Sequence, residues 1–117
     1  MMRIFILFLL SWQLIACASV ANTTYPATAS ELQQGKRDFD GGYYRSAMRR
    51  LLPLACNGNA EAQYAVGYMY YYGYGVAQDT DVGAFWIERS ARQNYPPAVK
   101  AMENISKPAE KRHRVNH

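Results

Sequence analysis

The chain resembles itself at a shift of 36 residues, and this internal repeat limits its fold more than any other feature. Small and apolar residues coincide in pairs: Ala47 with Gly83, Leu51 with Ile87, Ala55 with Ala91, Gly58 with Asn94, and Ala62 with Ala98. Glycine and asparagine are the residues that most readily end a helix in the left-handed conformation. A period of this length is typical of helix-hairpin arrays, in which each unit buries its apolar face against its neighbours.

Five helices are predicted, at about residues 30–40, 43–56, 59–72, 80–94 and 96–106. Apolar residues recur at spacings of three and four within them, and glycine, asparagine and proline stand between them. Ser30 is the candidate N-cap of the first helix, and Asp79 or Thr80 that of the fourth. No segment has the alternation of a strand. The predicted fold class is therefore all-α, a short α-solenoid of antiparallel helix hairpins.

Composition and charge indicate a globular protein without a nucleic-acid-binding surface. Half of the residues are apolar and 19% are charged, which is too apolar a composition for a disordered chain. The net charge is +4, yet residues 30–106 contain eight basic and eight acidic side chains. The excess lies in residues 107–117, which are predicted to form a basic disordered tail. A neutral body argues against nucleic acid as a partner.

The third and fourth predicted helices, with the turn between them, carry a recognisable pattern. Its positions are Ala62, Gly67, Tyr70, Gly73, Gly75, Val76, Asp79, Trp86 and Ala91. The pattern resembles the Sel-1-like repeat, a branch of the tetratricopeptide-like helix hairpins. The resemblance implies a repeat domain over residues 30–106, with a degenerate repeat at 30–58, a full repeat at 59–94 and a partial or capping helix at 95–106. Val66, Gly83 and Asn94 depart from the family, which usually has leucine, alanine and glycine there.

Residues 1–17 are predicted to be an export signal, with Arg3 followed by an apolar run and then by small residues. The end of this segment, residues 14–17, resembles the lipobox of bacterial lipoproteins. The resemblance implies lipidation of Cys17 and, with Ala18 next to it, a place on the periplasmic side of the outer membrane. Cleavage near Ala18 or Ala21 by an ordinary signal peptidase is the alternative, and it predicts a soluble periplasmic or secreted protein. An uncleaved anchor is the third possibility. Residues 18–29 are predicted to be a linker.

The chain has two cysteines, Cys17 and Cys56. Lipidation uses the thiol of Cys17, and cleavage beyond Cys17 removes it. We therefore expect no intramolecular disulfide in the mature chain. Cys56 is predicted to be a small buried apolar residue, with a reactive or intermolecular thiol as the alternative.

Tyrosine is the most prominent functional clue, with ten in the chain and five between residues 68 and 74. Tyr70 is predicted to face the core. The candidate partner-binding residues lie on the opposite side of the third helix or just beyond it: Tyr64, Tyr68, Tyr71, Tyr72 and Tyr74. Packing against the adjacent repeat is the structural alternative, whereas tyrosine is also enriched at protein interfaces. Arg45 and Arg49 are weaker candidates.

No catalytic set of residues can be drawn from the predicted helices. The two histidines, His113 and His117, lie in the predicted tail, so no Ser-His-Asp or Cys-His arrangement is available. Asp79 and Asp81 are interpreted as a helix cap and a first-turn charge. We expect neither a catalytic site nor a metal site, and no cofactor.

The favoured function is an exported adaptor in the bacterial envelope that binds a protein or peptide, with membrane contact only through a lipid anchor. An enzyme acting on cell-wall material or β-lactams is one alternative. A lipid-anchored structural component is another. A homodimer is a further alternative, because an array of so few repeats has few neighbouring units against which to bury its apolar faces.

Overall fold

The computed structural model describes residues 29–107, which form five α-helices and no strand. The helices are α1 (Ala29–Asp40), α2 (Tyr44–Cys56), α3 (Ala60–Tyr72), α4 (Thr80–Ala91) and α5 (Pro96–Ser106). This confirms the predicted all-α array of helix hairpins. The predicted export signal, all but the first residue of the basic tail and all but the last residue of the predicted linker lie outside the described residues. In the part of the chain that is described, no helix has the length and apolarity needed to cross a membrane.

Two predicted helix boundaries are wrong. Helix α1 begins at Ala29, so Ser30 lies within the first turn and is not the N-cap. Helix α4 ends at Ala91 and not at Asn94, because residues 92–94 leave the helix in a turn closed by the Asn94 N–H on the Ala91 carbonyl at 2.8 Å. Asn94 adopts a left-handed φ of 61° at the end of this turn.

Side chains cap the two helices of the central hairpin. The carboxylate of Asp79 accepts hydrogen bonds from the N–H groups of Asp81 at 3.2 Å and Val82 at 3.0 Å. The side chain of Asn59 accepts one from the N–H of Ala62 at 2.9 Å. These bonds satisfy backbone donors that the first turn of a helix leaves without partners. Of the two candidate caps for α4, the structure selects Asp79.

Helices adjacent in the chain pack side by side, and α3 also contacts α1. The hairpins are thus α1–α2 and α3–α4, with α5 against α4 as the start of a further unit. Three of the five residue pairs that lie 36 positions apart are buried at both positions. Leu51 and Ile87 are both in the core, as are Ala62 and Ala98. The repeat that is visible in the sequence is therefore a repeat of buried positions.

Glycines allow α3 and α4 to touch through their backbones. A Cβ atom on Gly83 would lie 2.6 Å from the backbone nitrogen of Tyr71, and one on Gly67 would lie 2.8 Å from the Gly83 carbonyl oxygen. Real Cβ atoms do not approach backbone so closely. The tight crossing holds α3 in a fixed rotation about its axis, and this decides which of its tyrosines face outward.

The turn between α3 and α4 folds back on the first hairpin. Gly73 and Gly75 have φ values of 74° and 72°, a left-handed conformation that glycine adopts without steric cost. A Cβ atom on Gly75 would lie 2.7 Å from Cβ of Tyr44. The close approach brings Tyr74 over the beginning of α2.

Buried polar side chains connect α3 to α4 and to the first hairpin. The Ser90 hydroxyl donates a hydrogen bond to the Ala60 carbonyl at 2.6 Å. The amide of Gln63, which is buried, donates to the Ala55 carbonyl at 3.1 Å. Because buried polar groups cost free energy unless they are paired, the first bond favours one position of α4 on α3 and the second favours one position of α3 on α2.

Cys56 is disulfide-bonded in the full chain. The expectation of no intramolecular disulfide concerns the mature chain after processing and stays a prediction. The expectation assumed that processing at the amino terminus consumes or removes Cys17, whereas the full chain keeps two cysteines. The Cys56 side chain is half-buried at the edge of the core.

Candidate functional site

Eight aromatic rings from three helices and two turns form a continuous cluster on one side of the array, which we call the tyrosine cluster. Its members are Phe39, Tyr44, Tyr64, Tyr68, Tyr71, Tyr72, Tyr74 and Tyr95. Each ring lies within contact range of at least one other. Aromatic pairs at such spacings add to the free energy gained by burial.

Tyr68 is the centre of the tyrosine cluster. Its ring centroid lies 4.6 Å from that of Tyr72, 5.9 Å from Tyr74 and 6.1 Å from Tyr64. On its inner side, the ring meets Phe39 of α1 edge-on at 5.6 Å. Tyr68 therefore joins the first hairpin to the tyrosines on the outer side of α3.

Tyr72 and Tyr74 are the most exposed members of the cluster, at 50% and 38% of their surface. Their rings lie 5.9 Å apart and are nearly parallel, with an angle of 22°. Tyr74 also stacks on Tyr44 at 4.8 Å and 13°. The two exposed rings are thus held in place from below, and a partner would not have to immobilise them.

A groove of about 510 Å³ runs between α3 and α5. The α3 wall carries all of its aromatic lining, and α5 provides a wall of apolar and polar residues. The lining residues are Tyr64, Tyr68, Tyr71, Tyr72, Ile87, Pro97, Lys100, Ala101, Asn104 and Ile105. Tyr64 and Tyr95 meet at 5.7 Å near one end of the groove, where the chain enters α5.

The groove is nearly uncharged. Lys100 is the single charged side chain in its lining, and among residues 29–107 Lys100 forms no ion pair. Burial raises the pKa of Tyr64, and the neighbouring tyrosines raise it further. Burial likewise raises the pKa of Tyr68. These phenols stay protonated at neutral pH and remain hydrogen-bond donors.

The structure brings together the five tyrosines that the sequence singles out, while Tyr70 packs on the core as predicted. Both interpretations of the tyrosines describe part of the result. Tyr68 packs on the neighbouring hairpin, whereas Tyr72 and Tyr74 remain open to solvent. Arg45 and Arg49 are exposed on α2 and do not line the groove, so the geometry gives them no place in this site.

Sequence reasoning missed the α5 side of the groove. Pro97, Lys100 and Asn104 line it, and Tyr95 extends the tyrosine cluster. One available signal was the 36-residue offset, which places residues 96–106 on the start of α3 and so predicts that α5 stands beside α3 on the same side of the array.

Within residues 29–107, no group of three or more histidine, cysteine, aspartate and glutamate side chains is placed to hold a metal ion. Asp79, one of the two neighbouring aspartates, caps α4. His113 and His117 lie outside the described residues.

The family model of the Sel1 repeat matches residues 60–95. This segment is similar to a Sel1 repeat. The match includes all nine pattern positions from Ala62 to Ala91 and coincides with α3, α4 and the turn that leads to α5. A Sel1 repeat is a helical hairpin that mediates protein–protein interaction, so the repeat makes a protein the expected kind of partner.

One curated relative is Chitin synthase regulatory factor 3 of Schizosaccharomyces pombe, which is 35% identical over 88 residues. The matched region covers 64% of this chain but 9% of the yeast protein. The chain therefore spans a small fraction of that relative. No solved structure matches the chain significantly.

Proposed function

We propose that this protein is an exported adaptor of the bacterial envelope that binds a segment of another protein in the groove between α3 and α5. The observation that carries the proposal is the tyrosine cluster, which extends along the groove and ends in the exposed rings of Tyr72 and Tyr74. Tyrosine is one of the residues on which protein interfaces most depend for binding energy.

Two physical features support binding at this surface. The rings contact one another at 4.6 to 6.1 Å, so little side-chain freedom remains to be lost when a partner binds. The phenols also combine a flat apolar face with a donor that reaches the backbone of a bound segment. A site with these properties binds chiefly by shape and apolar contact.

Export rests on the amino-terminal pattern. We propose that Cys17 is lipidated and that the protein faces the periplasm from the outer membrane. Since the chain has two cysteines, lipidation of Cys17 and a disulfide at Cys56 exclude each other within one molecule. Intact mass of the protein from membranes separates the cases: an acylated chain starting at Cys17 supports the anchor, and a chain starting at Ser19 or Asn22 supports a soluble exported protein.

A non-catalytic role is part of the proposal. The yeast relative is by its name a regulatory factor of a synthase, and regulation through contact agrees with a helical repeat that binds proteins. The groove lining has Lys100 and tyrosines as its titratable groups, without a histidine or carboxylate to act as a general base. Turnover of a β-lactam or cell-wall fragment by the purified protein would contradict this part.

Site-specific photo-crosslinking in cells tests the binding surface. A photoreactive phenylalanine derivative in place of Tyr72 is expected to give adducts with one partner protein. The same residue in place of Tyr43, which is 71% exposed and lies outside the groove lining, serves as the matched control and is expected to give none.

Equal adducts from both positions, or none from position 72, would contradict the proposal and favour a structural component without a partner site. Adducts between two copies of the chain would instead identify a homodimer.

A further inference from the structure

We infer that the groove between α3 and α5 takes an extended, proline-rich segment of the partner that carries an acidic residue facing Lys100. The inference rests on the proposed function, since it names the chemistry of the segment that the adaptor binds. Three observations support it: the spacing of the tyrosines, the capacity of their phenols to donate hydrogen bonds, and the single positive charge of the groove.

The tyrosine spacing fits a polyproline II helix. Tyr64 and Tyr71 are seven residues apart on α3, about 10.5 Å along its axis at the usual rise of an α-helix. A polyproline II helix returns to the same face every three residues, after about 9.3 Å. Prolines at positions one and four of a segment would therefore lie close to Tyr64 and Tyr71, with Tyr68 between them. Aromatic-lined grooves are a known way of binding such segments.

The phenols provide the polar part of this recognition. A polyproline II helix has no internal hydrogen bonds, so its carbonyl oxygens are available as acceptors. Tyr64, Tyr68 and Tyr72 line the groove, and a protonated phenol donates to a carbonyl. An α-helix or a paired strand offers fewer free carbonyls, which favours the polyproline conformation among the possible peptide forms.

Lys100 adds the charge preference. It lies on the α5 wall opposite the tyrosines, and it has no ion-pair partner among residues 29–107. With three residues per turn, a polyproline II helix has three rows of side chains. While the proline row contacts α3, a neighbouring row faces α5, where a glutamate or aspartate would pair with the Lys100 ammonium. Basic residues in that row would be repelled.

The test uses fluorescence anisotropy with the full chain and labelled peptides of Pro-Glu-Ala repeats. Repeats of Gly-Glu-Ala lack the proline, and repeats of Pro-Lys-Ala reverse the charge. We expect saturable binding of the Pro-Glu-Ala peptide. Both control peptides are expected to bind about tenfold more weakly, a loss of about 1.4 kcal/mol in binding free energy, because one lacks the proline contacts and the other places a positive charge beside Lys100.

Two variants connect the binding to the groove. Tyr72→Ala is expected to weaken Pro-Glu-Ala binding about fivefold or more, as truncation of an aromatic anchor does, whereas Tyr43→Ala is expected to leave it unchanged. Lys100→Glu is expected to exchange the preference, so that the Pro-Lys-Ala peptide binds more tightly than the Pro-Glu-Ala peptide. A loss of folding would weaken the binding of both peptides and would not reverse the preference between them.

Equal binding of the proline and glycine peptides would overturn the inference, as would the absence of saturable binding of the Pro-Glu-Ala peptide. Binding of a chito-oligosaccharide that Tyr72→Ala abolishes would also overturn it and assign the groove to glycans. The proposed function is tested separately, because photo-crosslinking to a partner from position 72 would succeed with any protein segment.

Discussion

Replacing Gly83 by alanine tests whether the backbones of α3 and α4 are in direct contact. The added Cβ atom would lie 2.6 Å from the backbone nitrogen of Tyr71 and 2.7 Å from its Cα. Both obstacles are backbone atoms in the middle of a helix, so rotation of a side chain cannot relieve the overlap. The helices must move apart, and the outer tyrosines of α3 would move with them.

Two opposing terms set the magnitude. Overpacking a well-packed site costs about 1 to 3 kcal/mol. Alanine in place of glycine inside a helix returns about 0.8 to 1 kcal/mol through its better helix propensity. Because both obstacles are backbone atoms, the upper part of the overpacking range applies, and Gly83→Ala is expected to lower the free energy of unfolding by about 1 to 2 kcal/mol. For a domain of this size, each kcal/mol corresponds to about 4 to 8 °C in Tm.

Urea and thermal unfolding followed by circular dichroism measure this change. Gly35→Ala is the matched control, because it gains the same propensity inside α1 while its nearest obstacles are side-chain atoms of Leu51 at 2.6 and 2.7 Å. The control is expected to lose less stability than Gly83→Ala. If Gly83→Ala were as stable as the wild type or more stable, the contact between the α3 and α4 backbones would be refuted.

Three further predictions follow from single contacts. Asp79→Ala is expected to lower the free energy of unfolding by about 1 kcal/mol, because it removes the N-cap of α4, whereas Asp79→Asn should keep most of it in the same urea titration. Ser90→Ala is expected to cost about 1 kcal/mol, since it removes the hydrogen bond from α4 to the Ala60 carbonyl of α3; a neutral result would mean that this bond does not help to hold α3 and α4 together. The Ser46 hydroxyl, the Gln34 amide and the Arg50 guanidinium lower the pKa of Asp38 in the folded chain. The stability from Asp38 is therefore present above its unfolded pKa of about 3.9 and is lost as the pH falls through the lower folded value. Asp38→Asn should accordingly be less stable than the wild type at neutral pH, with a difference that shrinks below about pH 4 in unfolding curves, and a constant difference would contradict this.

Much of the fold could be predicted because local signals agree with the repeat. Glycine at position 58 and asparagine at position 94 both adopt left-handed φ values, of 98° and 61°, as the 36-residue offset predicts. Small residues at positions 62 and 98 are fully buried. In these cases, the residue type required by the backbone and the one required by packing are the same, so either argument reaches the correct answer.

Other features depend on contacts between distant segments, which periodicity alone does not reveal. The end of α4 was predicted three residues late, because nothing in residues 92–94 forbids a helix until the turn before α5 is considered. The contact between Tyr64 and Tyr95 joins residues that are far apart in the chain. Lys100 belongs to the candidate site only through the position of α5 opposite the tyrosines of α3.

For the tyrosines, position could be predicted from the sequence but burial could not. Their position on one side of α3 follows from helical spacing, as predicted. Their degree of burial does not, because it depends on Phe39 of α1 beneath Tyr68 and on the α3–α4 turn that carries Tyr74 onto Tyr44. The sequence therefore locates the candidate surface but does not decide which rings remain available to a partner.

The most direct test of the central claim is the affinity of the partner identified by crosslinking for the Tyr72→Ala/Tyr74→Ala double variant, measured by isothermal titration calorimetry. Since Tyr72 and Tyr74 are exposed, the variant is expected to fold, and thermal unfolding would verify this. If the tyrosine surface binds the partner, Kd should rise about tenfold or more, while Tyr43→Ala leaves Kd unchanged. An unchanged Kd in the double variant would show that the partner binds elsewhere and would contradict the account.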